Sequence, residues 1–505
     1  MAKTTAKSKS RSGQKSYGII VLTVALVLVT ALTGYVITDG SLHRSNILKD
    51  KTFITALSSV LEKFPAQISK KDLEKVKVLY LNGVYYPEYG YQTDGFTLYL
   101  GYDEAAQYLQ KQQDEKNKDG ESGGGDDADE ASDGGSLEDY LISASSEINI
   151  KDFSSLSLFP NLEYLRIYYQ PTLQNAEFAA SMTSLKSASL ELTNVKNFSP
   201  FSNLNSLKNL TVAGGNVGDP GVFSGLTNLE KLTLASVGIE DISPLETLVN
   251  LTDLYLSYNQ ITDLSVLKKL TKLETLSLES NQIADLSPVA SLKSLKTLSL
   301  YGNQVEDISP LKGMTSLETA ELSENQITNL DVISSLTSLK NLGLSSNGIS
   351  DINSLAGCKS LEKLYINSNA IIDISPAGSI KTLKNLYMNG NFVSDISALS
   401  GLTSLETLYA DENNIADVSP LETLKNTLTT LSLKNNQIVN IEPLKSLENL
   451  TTLNLDENKI TDFSPISGLE NKGTATISGQ DNQITGGEYD DIADATDTGG
   501  AEDPQ

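Results

Sequence analysis

The chain has 505 residues, 64 acidic against 38 basic side chains for a formal net charge of −26, one histidine, one cysteine and no tryptophan. That charge makes nucleic acid a poor partner, and a single imidazole with a single thiol excludes Cys/His nucleophilic sites and His-rich metal clusters. The length suggests several domains unless a short repeat fills it.

Residues 1–16 carry Lys3, Lys7, Lys9, Arg11 and Lys15 without an acid, and residues 17–37 are almost wholly apolar. As a helix rising about 1.5 Å per residue, the second segment is roughly 30 Å long, enough to cross a bilayer. The basic flank stays inside, so the remainder is expected outside the cell membrane as a single-pass protein with a cytoplasmic amino terminus. A cleavable signal peptide is the rival reading, because Val29-Thr30-Ala31 offers small residues at a plausible cleavage position, and the chain is then secreted. The apolar run continues to Ile37, which favours an uncleaved anchor.

Residues 38–83 read as a linker and a helical cap. From Phe53 the text FITALSSVLEKFPAQISKKDLEKVKVLYLNG predicts a helix, a loop, a short helix beginning near Ser69, and a strand at Leu79 to Leu81. Residues 84–147 form an insertion. Its tyrosine-rich first part, with Tyr85, Tyr86, Tyr89 and Tyr91, suggests a small hairpin and then a helix near residues 103–113. Residues 114–139 hold eleven acids against two lysines and the run Gly123-Gly124-Gly125, a composition that predicts disorder. Asp126, Asp127, Asp129 and Glu130 lack the EF-hand spacing and are read as solvated linker rather than a calcium site.

Residues 148–485 are a repeat array. LTDLYLSYNQITD from Leu251 returns as LETLSLESNQIAD from Leu273 and LKTLSLYGNQVED from Leu295. Asn259, Asn281, Asn303, Asn325, Asn347, Asn369, Asn391 and Asn413 stand 22 residues apart, followed by Asn436, Asn458 and Asn482. This period with Leu-x-x-Leu-x-Leu-x-x-Asn is a leucine-rich repeat. In each unit the alternation, for example Leu276 and Leu278, marks a short strand with its leucines inward and Ser277 and Glu279 outward. The asparagine column turns the chain and satisfies backbone groups that would each cost ~1–3 kcal/mol if buried unpaired, so it is structural. The Asp-Ile-Ser-Pro device at Asp241, Asp307 and Asp373 places serine as a cap and proline at the first position of a short helical piece. Columns such as Leu264, Leu267, Leu270 and Leu273 fill the interior, and Cys358 falls in the Leu270 column as a packed thiol. One coil cannot bury its apolar face alone, so the units must stack. The first coils are irregular, with Gln170, Thr193 and Gly215 or Asn216 near the asparagine position.

Residues 486–505 are an acidic disordered tail; its net charge of −7 and the −9 of residues 114–139 supply 16 of the 26 net negative charges.

The cap, the 22-residue units and the Asp-Ile-Ser-Pro device resemble the internalin-like leucine-rich-repeat proteins of bacteria, over about residues 53–83 and 148–484. The expected fold is an α/β solenoid. It is a horseshoe with parallel strands on the concave face, short helical turns on the convex face and a helical amino-terminal cap. The insertion departs from the family pattern. The Leu-Pro-x-Thr-Gly sorting signal and hydrophobic tail that cell-wall-linked members often carry are not found, so attachment is expected through the amino-terminal segment.

On the concave face the outward strand positions point to binding. Tyr365, Tyr387 and Tyr409 share the column of Tyr255 in three successive coils, and strands ~4.8 Å apart make them an aromatic stripe about 10 Å long. Tyr301, Glu321, Asn367, Asn389, Asp411 and Lys434 lie nearby. Tyrosine with amides and carboxylates is a composition that binding surfaces use, although stacking for stability remains an alternative. The adjacent pairs Asp411–Glu412 and Asp456–Glu457 are read as a solvated rim rather than a catalytic dyad. A Ser-His-Asp site would need His43, beside the apolar segment, to reach the array. No catalytic residue, cofactor or metal is expected. The partner is expected to be an extracellular protein of host or bacterial origin; a glycan ligand and a ligand-free envelope spacer are the alternatives. A second cluster, Tyr164, Arg166, Tyr168 and Tyr169, lies on the first coils beside the insertion.

Overall fold

The structure, a computed structural model, describes residues 35–38, 41–44, 68–82, 96–99, 150–470 and 476–483. The chain divides into two compact units, Met1–Gly238 and Ile239–Gln505. The apolar span up to residue 34, the helix from Phe53, the helix near 103–113, the acidic segment 114–139 and the tail 486–505 lie outside the described residues. Tyr35–Thr38 is a strand paired antiparallel with Ser41–Arg44, so the last residues of the apolar run are extended. Among the described residues no helix is long and apolar enough to cross a membrane.

In the first unit a short α-helix, Lys70–Leu73, begins where Ser69 predicts it. The Ser69 backbone N–H and hydroxyl both donate to Asp72 Oδ2, at 2.8 and 2.6 Å, which satisfies the exposed start of the helix. The strand Val78–Asn82 follows. It pairs antiparallel with Phe96–Tyr99 on one side and parallel with Tyr164–Tyr168 on the other. The hairpin expected within the insertion is therefore made by an insertion strand folding back on the cap strand. Ser187–Glu191, Asn209–Ala213 and Lys231–Ala235 continue the sheet in parallel. Polar bonds tie the cap to the first coils: Asn161 Nδ2 donates to the Glu74 carbonyl at 2.9 Å, and Glu163 bridges Lys77 at 3.0 Å and Lys186 at 2.6 Å. Burial opposes ionisation of Glu163, but hydrogen bonds from the two lysines hold its carboxyl below the ordinary range.

In the second unit every coil repeats one path. Three-residue strands run parallel and in register from Asp253–Tyr255 through Thr476–Ser478. The central leucines, such as Leu254, Leu364 and Leu408, are fully buried, and the residue just before each ladder asparagine turns the chain through the left-handed region. Only Gly302 and Gly390 relieve that conformation with a glycine; Ser280, Glu324, Ser368 and Glu412 adopt it at φ of 50–55°.

This turn aims each asparagine into the stack. The Asn281 Oδ1 accepts from the Ile261 N–H of the preceding coil at 3.0 Å, and its Nδ2 is shared among the carbonyls of Leu256, Leu278 and Glu279. The same acceptor bond recurs from Asn259 to Asn482.

The far side of each coil is a short 3-10 turn, followed in the last coil by the α-helical turn Ser467–Glu470, and its capping differs from expectation by one residue. In Ser309–Leu311 serine is the first turn residue, proline the second, and Ile308 holds the cap position. The cap bond comes from one residue further back: Asp307 Oδ1 accepts from the Ser309 N–H and Oδ2 from its hydroxyl, both at 2.8 Å. The interior requires an apolar side chain at Ile308, which is 2% exposed, so the acceptor has to precede it. Cys358 is buried, its Sγ facing the Ile333 carbonyl at 3.6 Å, and burial pushes the thiol up to about 11.

Candidate functional site

The strand register of the second unit places Tyr255, Ser277, Ser299, Glu321, Gly343, Tyr365, Tyr387, Tyr409 and Ser432 in one column on the outer strand face. Three of the four tyrosines come together. Tyr365 and Tyr387 stack with ring centroids 4.5 Å apart and planes 9° apart, and Tyr387 and Tyr409 with centroids 5.2 Å and planes 10° apart. Tyr255 stands apart from the stack, separated by four small or acidic residues. Ser277 and Ser299 lie on the same face but are buried, because Ser277 bonds Ser257 at 2.8 Å and Ser299 donates to Glu279 at 2.7 Å.

The stack ends at a notch. A Cβ at Gly343 would overlap the Glu321 carboxylate, so glycine is what lets that carboxylate lie across the column toward Tyr365. Glu321 Oε1 is held there by the Ser323 N–H at 2.9 Å. Burial, then the Glu321 charge, raises the Tyr365 hydroxyl; burial, then Asp411, raises Tyr409. Tyr387, between them, is pushed up to about 12 by burial first and then by its two neighbours. All three stay protonated at neutral pH.

The sign of this shift gives a pH dependence. In the unfolded chain a tyrosine ionises near 10, while folded Tyr387 keeps its proton to about 12. Its contribution is intact below pH 10 and is lost as pH rises from 10 through 12, because only the unfolded state gains by ionising. Tyr365→Phe, Tyr387→Phe and Tyr409→Phe together keep the stack and remove the hydroxyls. The midpoint pH of alkaline unfolding, followed by circular dichroism, should rise in that variant; an unchanged midpoint would mean that these hydroxyls do not set the alkaline limit.

The neighbouring outward column has a second duty that its composition did not announce. The Asn367 Oδ1 accepts from the Asn389 N–H, and the Asn389 Oδ1 from the Asp411 N–H, both at 2.8 Å. Asp411 Oδ1 accepts from the Lys434 N–H at 2.7 Å and the Ser432 hydroxyl at 2.6 Å; Asp456 repeats this with Gln480 and Ser478. Side-chain oxygens of one coil thus bind the backbone of the next, forming a second polar ladder beside the asparagine ladder. Asn367, Asn389 and Asp411 are tied to neighbouring coils, and Asp411 is no solvated rim: burial raises its carboxyl despite Ser432 and Lys434. Only the 22-residue recurrence of Ser, Asn or Asp at this position signals the ladder. Lys434 pairs with Glu457 at 3.1 Å. Tyr301, further along the column, is pushed up to about 12 by burial and by its hydrogen bond to Glu324.

In the first unit, Arg166 bonds Glu191 at 3.1 Å and lies 5.4 Å from the Tyr168 ring centroid, joining part of the second predicted cluster. Among the described residues no group of three or more His, Cys, Asp or Glu is placed to hold a metal ion.

The family model for leucine-rich repeats in two copies matches residues 227–269, 271–313, 315–357, 337–379, 359–401, 381–426 and 426–468. An internalin (InlF) of Listeria monocytogenes is similar over 60% of this chain and 88% of its own, with 33% identity and a TM-score of 0.57. A leucine-rich-repeat protein of Leptospira interrogans is similar over 65% of this chain and 98% of its own, with 21% identity and a TM-score of 0.56. The plant peptide hormone receptor RGFR1, in complex with RGF2, is similar over 66% of this chain and 61% of its own, with 17% identity and a TM-score of 0.54. The last two are likenesses of fold. None of the curated proteins gives a significant match.

Proposed function

Because the chain belongs to the internalin-like leucine-rich-repeat proteins of bacteria, we propose that it is a non-catalytic recognition protein, anchored by the apolar run that precedes the strand at Tyr35–Thr38 with its repeats outside the cell, that binds a protein partner through the strand face of its second unit. The observation that carries this reading is the tyrosine stack. Its rings lie face to face, so both faces of Tyr387 are taken by Tyr365 and Tyr409, leaving edges and hydroxyls for a ligand. A sugar docks on an open ring face. A protein surface, by contrast, uses ring edges for area and hydroxyls for directed bonds, so the stack favours a protein over a glycan. The basic flank and apolar run of the amino terminus support the outward placement.

Intact cells carrying the full chain test both halves. Protease added outside should remove the repeats, and with them the capture of the partner protein by those cells. Repeats protected from protease would refute the placement; capture that survives their removal would refute the binding role.

A further inference from the structure

The coils that carry the tyrosine stack also carry an apolar edge. After each ladder asparagine the chain alternates, with Ile371, Val393, Ile415 and Ile438 buried and their neighbours outward. In the other coils those outward positions carry no large apolar side chain: Gln260, Gln282, Gln304, Gln326 and Gly348 in one column, Thr262, Ala284, Thr328 and Ser350 in the next. In the stack's own coils they become Phe392, 57% exposed, and Ile372, 67% exposed, with Val439, 56% exposed, further along. Ala370 and Ala416 stand between them, together with the polar Ser394 and Asn414. The coils are joined here by the bonds Ala370 N–H to Ile349 O, Phe392 N–H to Ile371 O and Asn414 N–H to Val393 O, at 2.8–2.9 Å. With coils ~5 Å apart, Ala370, Ile372 and Phe392 on two adjacent coils form one patch, and Val439 stands two coils beyond Phe392. The patch is separated from the tyrosine rings only by the turns at Asn367–Asn369 and Asn389–Asn391. Large apolar residues grouped on a surface and rimmed by polar ones mark an interaction site.

The rim states what fits. Glu412 lies on the strand side of the patch, and Asp373, Asp395 and Asp417 on the 3-10 side. Hydrogen bonds from Ser375 and Ser397 hold Asp373 and Asp395 below the ordinary carboxylate range, so both are charged at neutral pH. Of the nearby cations, Lys434 is paired with Glu457, and Lys381 donates to the carbonyls of Gly378 and Gly401. A second copy of this chain would bring the same carboxylates against this rim, and an anionic lipid surface would be repelled in the same way.

Resting on the strand-face reading and extending it, we infer that Phe392 and Ile372 form a second docking edge, beside the tyrosine stack, for a basic amphipathic segment of the partner protein. Its apolar side chains cover the patch, and its lysines or arginines meet the carboxylate rim.

The probe is a phage-displayed library of random dodecapeptides selected on the full chain, with affinities then measured for the most enriched sequences. Enriched peptides should carry net positive charge with aromatic or branched aliphatic residues. Ile372→Thr with Phe392→Gln, residues already present at these positions in other coils, should weaken them roughly tenfold or more. Glu412→Gln with Asp417→Asn, which keeps the oxygen that caps Ser419, should weaken them about threefold and gives a second readout that leaves the apolar patch intact. If the peptides ignore both pairs but are lost on replacing the three tyrosines, the edge falls and the strand-face reading stands. If the edge pair matters and the tyrosines do not, the edge stands alone and the strand-face reading falls. Enrichment of acidic or uncharged peptides, or of none, overturns the inference.

Discussion

Replacing Tyr365, Tyr387 and Tyr409 together by serine is expected to weaken partner binding by at least ~2 kcal/mol, more than an order of magnitude in affinity, while cooperative unfolding persists. Binding should fall because a contiguous aromatic surface lets a few residues dominate an interface. The fold should survive because the interior beneath is carried by Leu364, Leu386 and Leu408, all fully buried, and serine already occupies this column at Ser277, Ser299 and Ser432. Some stability is lost with the two ring stacks, about 0.5–1.5 kcal/mol for each pair. Isothermal titration with the captured partner measures the affinity, and thermal circular dichroism the fold. The control is the triple replacement of Lys268, Lys293 and Lys312 by serine on the 3-10 side, which should change affinity little. Equal effects from the two triples would remove the stack as the recognition site. A collapse of stability in the tyrosine variant alone would show that the rings serve packing.

The second large effect is expected in the ladder. Asn391, 4% exposed, accepts from the Ile371 N–H at 3.1 Å and donates to the carbonyls of Ile366 at 2.9 Å, Met388 at 3.1 Å and Asn389 at 3.2 Å. All three carbonyls have another donor: Ile366 also accepts from Asn369, Met388 from Asn413, and Asn389 from the Ser368 N–H. The Ile371 N–H, by contrast, donates to the Asn391 Oδ1, so Asn391→Ala removes its acceptor and leaves it buried and unsatisfied, at a cost of ~1–3 kcal/mol. Urea unfolding should show that loss, with partner affinity per folded molecule unchanged. A variant as stable as the parent that binds less well would make Asn391 a contact residue instead.

The 22-residue period, the leucine alternation and the asparagine spacing determined the repeat architecture from sequence alone, because each is a local rule repeated many times. The same regularity placed Tyr365, Tyr387 and Tyr409 in one column before any coordinates, since parallel strands in register convert a spacing of 22 into lateral contact. Three features had to wait for the tertiary structure. The ring geometry depends on side-chain rotamers between coils. The polar column of Asn367, Asn389 and Asp411 looks like ligand-binding composition in sequence, yet it binds the backbone of the next coil. That assignment rests on which N–H lies within reach once the coils stack. The 3-10 turns are capped by aspartate rather than serine because the interior claims the position between them, and the demand for a buried Ile308 or Ile374 exists only when neighbouring coils close over it. Residue identity in a repeat states which positions are equivalent; only the stacked chain states which polar atoms those positions must satisfy.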